Sequence, residues 1–358
     1  MILTDEMMMA AFRYRESHLW EWLDDSMVFA FQLSDGETGY CCVMGSAGEH
    51  LALGFYRGAK GFSTYLKTIN AGDMPRREFF ELYLTYDCIN CDFMNAADAS
   101  ELDKEAKARI KEFAKSNGFK IRRPNGWPDF TRHAGYKVPK GIVDNRDAQD
   151  ITEALNAAVA VAKQLETSVW TTHKGNLYDM YGFDSKRRYP TSKGGKIVPL
   201  LIPKDDGTYS WSTTKLPALV KDEYENVVFS NDIVVHKLKT MQHIGTWECR
   251  LIHLPQVVDE PNVEYPYYPS LLLFVNETEG FTFPVMTKEP AEENPQALLT
   301  ELSNTFAHME VCPKTLHVCD DRTKAFLSDY CAKTGIQLKA KKSLPALDNA
   351  WNFMLMTL

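Results

Sequence analysis

The 358-residue sequence contains no Gly-x-Ser-x-Gly elbow, no His-Glu-x-x-His helix, no dinucleotide glycine fingerprint and no aminoacyl-type signature. The chemistries that those motifs carry are therefore not announced. Long apolar runs are also missing: stretches such as LLLFV at 271–275 are far short of the roughly 20 residues that a membrane span needs. The opening MILTDEMMMA places Asp5 and Glu6 where an export signal would carry basic residues, so no export and no membrane association are expected. The eight cysteines, at 41, 42, 88, 91, 249, 312, 319 and 331, form no dense framework. Reduced, mostly buried thiols and a cytoplasmic setting follow. Excess positive charge is lacking too, with 40 basic against 48 acidic residues and a net charge of -8. That disfavours a nucleic-acid partner and leaves only local basic patches.

What the chain does contain is alternating strand and helix patterning. HLWEWLDD at 18–25 reads as a short helix, with Leu19 and Leu23 four apart. Three apolar runs near 27–33, 39–45 and 50–56, broken by Ser-Asp-Gly and Gly-Ser-Ala-Gly turns, predict an antiparallel meander. A helix near 60–70, strand-like residues at 79–94, an amphipathic helix at 101–116 closed by Asn117 and Gly118, and a strand over Phe119 to Arg123 follow. PNGWPDFTRHAGYKVPKG reads as a loop. A helix at 146–165 then carries NAAVAVA, whose alanines allow close approach to a sheet.

Beyond it, KIVPLLIP and TYSWSTTK predict a hairpin across 205–207, and VVFSNDIVVHKLKT and WECRLIHLPQVV supply further strand. VDEPNVEYPYYPS reads as a linker and domain boundary. From 270 the pattern becomes hairpin, helix, strand, helix, strand. The segment starting at 103 overlays on that starting at 320 without a gap, matching Asp103 with Asp320, Lys107 with Lys324, Ala108 with Ala325, Gly118 with Gly335 and Pro128 with Pro345. An internal duplication is the expectation. The fold class is α/β with α+β character, built from duplicated mixed-sheet units of order β-β-(β)-α-β-α-β. The expected divisions are an N-terminal unit at 1–145, a middle helix and mixed-strand region at 146–265, and a C-terminal unit at 266–358.

This order resembles the ribonuclease H-like fold. In active members of that group, carboxylates on the first strand, in the first helix and at the end of the fourth strand hold divalent ions. The resemblance points to Glu301, or Glu293, in or before the first helix of the C-terminal unit, and to Asp320 and Asp321 after KTLHVC. With LLLFVNET taken as first strand, its metal-ligating position falls on Asn276 or Glu277. Asparagine offers a neutral oxygen without the charge that holds a hard cation. The overall arrangement is also similar to an uncharacterised bacterial family of two domains of unknown function, covering about the first 150 and the last 170 residues.

Other candidates come from the residues themselves. Cys88 and Cys91 form a Cys-x-x-Cys pair, but no second pair follows and strand patterning points the two to opposite faces. In MQHIGTWECRLIH, Cys249 and His253 lie on one strand face but about 13 Å apart, too far to share an ion. KRRYPTSKGGK offers Lys186, Arg187, Arg188, Lys193 and Lys196 beside paired glycines as a phosphate-binding loop, without the strand-loop-helix frame of a nucleotide site. LKAKK at 338–342 reads as lysine protection of an edge strand. Asp129, Arg132, His133 and Tyr136, close together in WPDFTRHAGY, could form an acid-base or oxyanion-binding pocket. The sequence thus supports a non-catalytic binding or scaffold protein with no cofactor. Its partner would be a protein or a phosphate-bearing ligand, met in part through the tyrosines and tryptophan of YPYYP and TYSWS. The alternative is a metal-dependent phosphodiesterase with a degenerate carboxylate site.

Overall fold

The computed structural model describes residues 1–48, 50–100, 102–121, 124–167, 189–259, 266–287 and 290–357. The chain divides into two compact units, one of residues 1–135 and 139–220, the other of 136–138 and 221–358. The expected middle region therefore does not stand alone. Its helix and hairpin join the first unit, and everything from Lys221 onward joins the second. The aromatic, proline-rich segment is not a boundary either. It connects two antiparallel strands of the second unit, which meet at His253 and Ser270.

Unit 1 is built on an eight-stranded mixed sheet. The expected meander forms β1 (Phe29–Gln32), β2 (Thr38–Met44) and β3 (Ala52–Arg57). The apolar 79–94 segment splits into a helix and a strand. After α2 (Gly58–Ile69) come α3 (Arg76–Tyr83) and β4 (Asp87–Met94), and β4 pairs antiparallel with β3. Next are α4 (Lys104–Asn117), β5 (Trp127–Ala134) and β6 (Lys140–Gly141). α5 (Asn145–Thr167) precedes the hairpin of β7 (Ile197–Pro203) and β8 (Tyr209–Lys215), and β7 lies parallel to β1.

An unanticipated helix, α1 (Asp5–Ser17), opens the chain, capped by Thr4, whose hydroxyl accepts from the Met7 amide at 3.1 Å. It packs on α5 through Ala10, Ala11 and Tyr14 against the small residues of NAAVAVA. Residues 18–25, expected to be a helix, hold only a single 3-10 turn at Leu19–Glu21.

Unit 2 is a five-stranded sheet. α6 (Asp232–Thr240) leads into β9 (Gln242–His253), β10 (Ser270–Asn276) and β11 (Thr282–Met286), an antiparallel meander. The β-branched run in α6 suggested a strand, but Asn231 accepts from the Val234 amide at 3.1 Å and starts a helix. Then come α7 (Pro295–Met309), β12 (Val311–Val318), α8 (Asp321–Thr334), β13 (Gln337–Ala340) and α9 (Pro345–Thr357). β12 lies parallel to both β9 and β13. Meander, helix, strand, helix, strand is the order implied by the ribonuclease H-like resemblance, and it begins at β9, one strand earlier than LLLFVNET.

The two units are both mixed α/β but are wired differently. The overlay aligns α4 with α8, each capped by aspartate and closed by a left-handed glycine, Gly118 or Gly335. The strands that follow diverge. β13 runs parallel to the strand before its helix, whereas β5 runs antiparallel to β4. The strand expected from Phe119 is not formed where described, because Phe119 turns inward to stack on Phe12 with ring centroids 4.5 Å apart.

Candidate functional site

In unit 1, WPDFTRHA is strand rather than loop, and its alternation separates Arg132 from Asp129 and His133, while Tyr136 belongs to unit 2. Arg132 binds Asp87, at the start of β4, at 2.7 Å and Asp147 of α5 at 3.2 Å. Asp129 and His133 point to the other face, two rungs apart. The register sets Asp129 opposite Asp92 of β4, and Asp92 accepts from His50 at 2.7 Å. Thr131 and Asn90 occupy the next rung. Burial, and then the Asp92 charge, raises the Asp129 carboxyl above its ordinary value. The hydrogen bond to Asp92 raises His50, whereas burial lowers His133, which lies edge-on to Tyr83 with centroids 5.4 Å apart. The grouping of Asp92 and His50 with Asp129 escaped the sequence reading because only strand register brings them together.

Cys88 and Cys91 both lie on β4 and are buried, with no disulfide. Burial pushes the Cys88 thiol up to about 12, although Arg132 pulls the other way. A protonated, enclosed thiol is not a nucleophile at neutral pH. Of the basic loop, Lys186, Arg187 and Arg188 lie outside the described residues. Lys193 is exposed, in a turn with two of its amides already used. Gly194 donates to the Thr191 carbonyl at 2.9 Å, and Gly195 to that of Leu216 at 2.8 Å. Gly194 has φ +65°, and an added Cβ would fall 2.5 Å from the Ala218 nitrogen. Its glycine therefore serves close backbone packing.

In unit 2, the expected metal residues are drawn apart. Asn276 ends the second strand, not the first, and its side-chain oxygen accepts from Thr278 and Glu279 amides at 2.9 and 3.0 Å, closing a turn. Glu301 is exposed on α7, accepting from Asn304 at 3.4 Å. Asp320 caps α8, taking the Thr323 amide at 2.7 Å and its hydroxyl at 2.8 Å. Asp321 points out to Lys221 at 2.7 Å.

On the true first strand, β9, the residue beside Asp320 is Arg250, Nε to carboxylate 3.7 Å. Glu248, two residues earlier, is buried and accepts from the Leu347 amide at 2.6 Å. Among the described residues no group of three His, Cys, Asp or Glu side chains is placed to hold a metal ion.

A second charged network lies nearby. Glu292 is bound by Arg322, whose guanidinium also rests 4.4 Å over the Tyr136 ring and 3.2 Å from a His253 ring nitrogen. Burial alone would raise the Glu292 carboxyl, but the His253 hydrogen bond and the Arg322 charge outweigh it and hold it at about 2. The spacing of His253 from Cys249 suggested only sheet packing. Its partners come from Tyr136, Glu292 and Arg322, distant in sequence.

These features define a two-unit α/β chain whose second unit has ribonuclease H-like strand order and, among the described residues, no three-residue metal-holding group. Residues 5–178 match a domain of unknown function (DUF7309), and residues 234–355 match another (DUF6930). Together the two matches give the chain two successive domains of unknown function. None of the curated proteins matches it.

Among solved structures, it is similar to the HTLV-2 integrase catalytic core domain in complex with magnesium, trimeric form. That likeness has 14% identity, 33% of this chain, 70% of that one and a TM-score of 0.23. It is also similar to the simian T-cell lymphotropic virus intasome in complex with PP2A regulatory subunit B56 gamma, at 14% identity, 39% and 45% coverage and a TM-score of 0.23. Likenesses of this extent bear on neither mechanism nor partner. No helix among the described residues is long and apolar enough to cross a membrane.

Proposed function

We propose that the chain is a non-catalytic binding protein, and that its second unit keeps the ribonuclease H-like order while lacking metal chemistry. One observation carries this reading: Arg250 stands 3.7 Å from Asp320 where two-metal catalysis needs a second carboxylate. A fixed guanidinium there repels a divalent cation, and the Asp320 oxygens are occupied by Thr323. The partner on this reading is a protein or a phosphate-bearing ligand; buried free thiols support a cytoplasmic setting, and the bacterial setting rests on the family resemblance alone.

Isothermal titration of the full chain with manganese, followed by a phosphodiesterase assay, tests the proposal. No binding heat is expected up to millimolar manganese, with no cleavage. Asp320→Ala should change only stability, by about 1 kcal/mol for a lost helix cap. Micromolar manganese uptake that disappears in Asp320→Ala would overturn the reading in favour of a degenerate nuclease.

A further inference from the structure

The sheet face beneath α9 is divided into an apolar and a polar part. Ile252, Leu271, Leu273 and Val275 bury against Leu344, Leu347 and Trp351. Along the strands, the register sets Glu248 of β9 beside His317 of β12, and His317 beside Lys339 of β13. Glu277, just past β10, hydrogen-bonds His317. The first turn of α9 comes down on this polar row, where the Glu248 carboxylate takes the Leu347 amide at 2.6 Å. A carboxylate is well placed at a helix N-terminus. This one comes from a residue 99 positions away, so it exists only while the helix is seated.

Two features of the seat work against it. Trp351 is only 2% exposed, and its indole N–H has no hydrogen-bond partner, a cost that ends when the group meets water. Glu248 is 4% exposed and faces two further carboxylates, Glu277 and Asp348. Both penalties fall on the contact between α9 and the sheet, and both are relieved if that helix lifts.

We propose that α9 is a lid over the β9–β10 face of unit 2, seated and released with the protonation of Glu248. This goes beyond the binding reading and does not depend on it. The direction follows from burial first, then from Glu277 and Asp348, which together raise the Glu248 carboxyl above 4.5 despite the Leu347 amide. The seated form holds the proton more tightly. Its Glu248 contribution is therefore complete below the ordinary carboxyl value and is lost as pH rises through the raised one. His317 and Lys339 are the other titratable groups on the same row.

Hydrogen exchange on the full chain between pH 4.5 and 7.5, corrected for intrinsic rates, tests the lid. Protection of 345–357 relative to β10 should fall with rising pH, about tenfold for each unit by which Glu248 is raised. Glu248→Gln should flatten that dependence, and Trp351→Phe should raise α9 protection at every pH while leaving the slope. Equal protection of α9 and β10 across the range would overturn the proposal. So would a pH dependence that survives in Glu248→Gln. Should the glutamine variant fail to fold, Trp351→Phe decides alone: α9 protection no higher than in the unaltered chain refutes the lid.

Discussion

Replacing Arg322 by methionine is expected to destabilise unit 2 by about 3 kcal/mol, because a carboxylate and an imidazole stay buried without their cation. Arg322 is 11% exposed and Glu292 27%, and the His253 side chain is fully enclosed, so solvent screens the network weakly. The pH signature is specific. Glu292 sits at about 2 in the folded chain against an ordinary 4.5. Stability from this network is therefore present above pH 4.5 and lost as pH falls toward 2, a span worth about 3 kcal/mol. Urea unfolding at pH 7 and at pH 3 should show the variant trailing at both, with the deficit at pH 3 about half that at pH 7 or less. A deficit equal at both would mean that the loss is one of packing alone.

Phe274→Ala should cost more, about 3–5 kcal/mol, through lost burial and the cavity left behind. Phe274 is wholly buried at the centre of the second sheet, stacked on Phe283 at 5.0 Å and edge-on to Phe306 at 5.6 Å. Phe281, 51% exposed one turn away, is the control, and its alanine variant should change stability by about 0.5 kcal/mol or less. Comparable midpoint shifts in the two variants would mean that the β10 core repacks.

How far the sequence carried these conclusions depended on whether a local signal existed. α4 and α8 were legible because capping aspartates, amphipathic spacing and terminal glycines all agreed. α1 was hidden because Met7, Met8, Ala10, Ala11, Phe12 and Tyr14 are buried around most of its girth, which erases the stripe that marks a surface helix. β5 looked like a loop because Pro128 and the glycines at 126 and 135 outweighed its alternation. Taking β10 for the first strand of the second unit moved the metal question to Asn276 and away from Arg250, which stands 3.7 Å from Asp320. The His50, Asp92 and Asp129 cluster had no local signal at all.

Residues 136–138 belong to unit 2 although they fall between β5 and β6 of unit 1. Tyr136, which lies over Arg322 and stacks on His253, leaves the ribosome long before either of them. The second unit therefore has its first piece synthesised early and its last pieces late. No single cut of the gene yields it whole, and a fragment beginning at Lys221 would fold around an unfilled place where that tyrosine belongs.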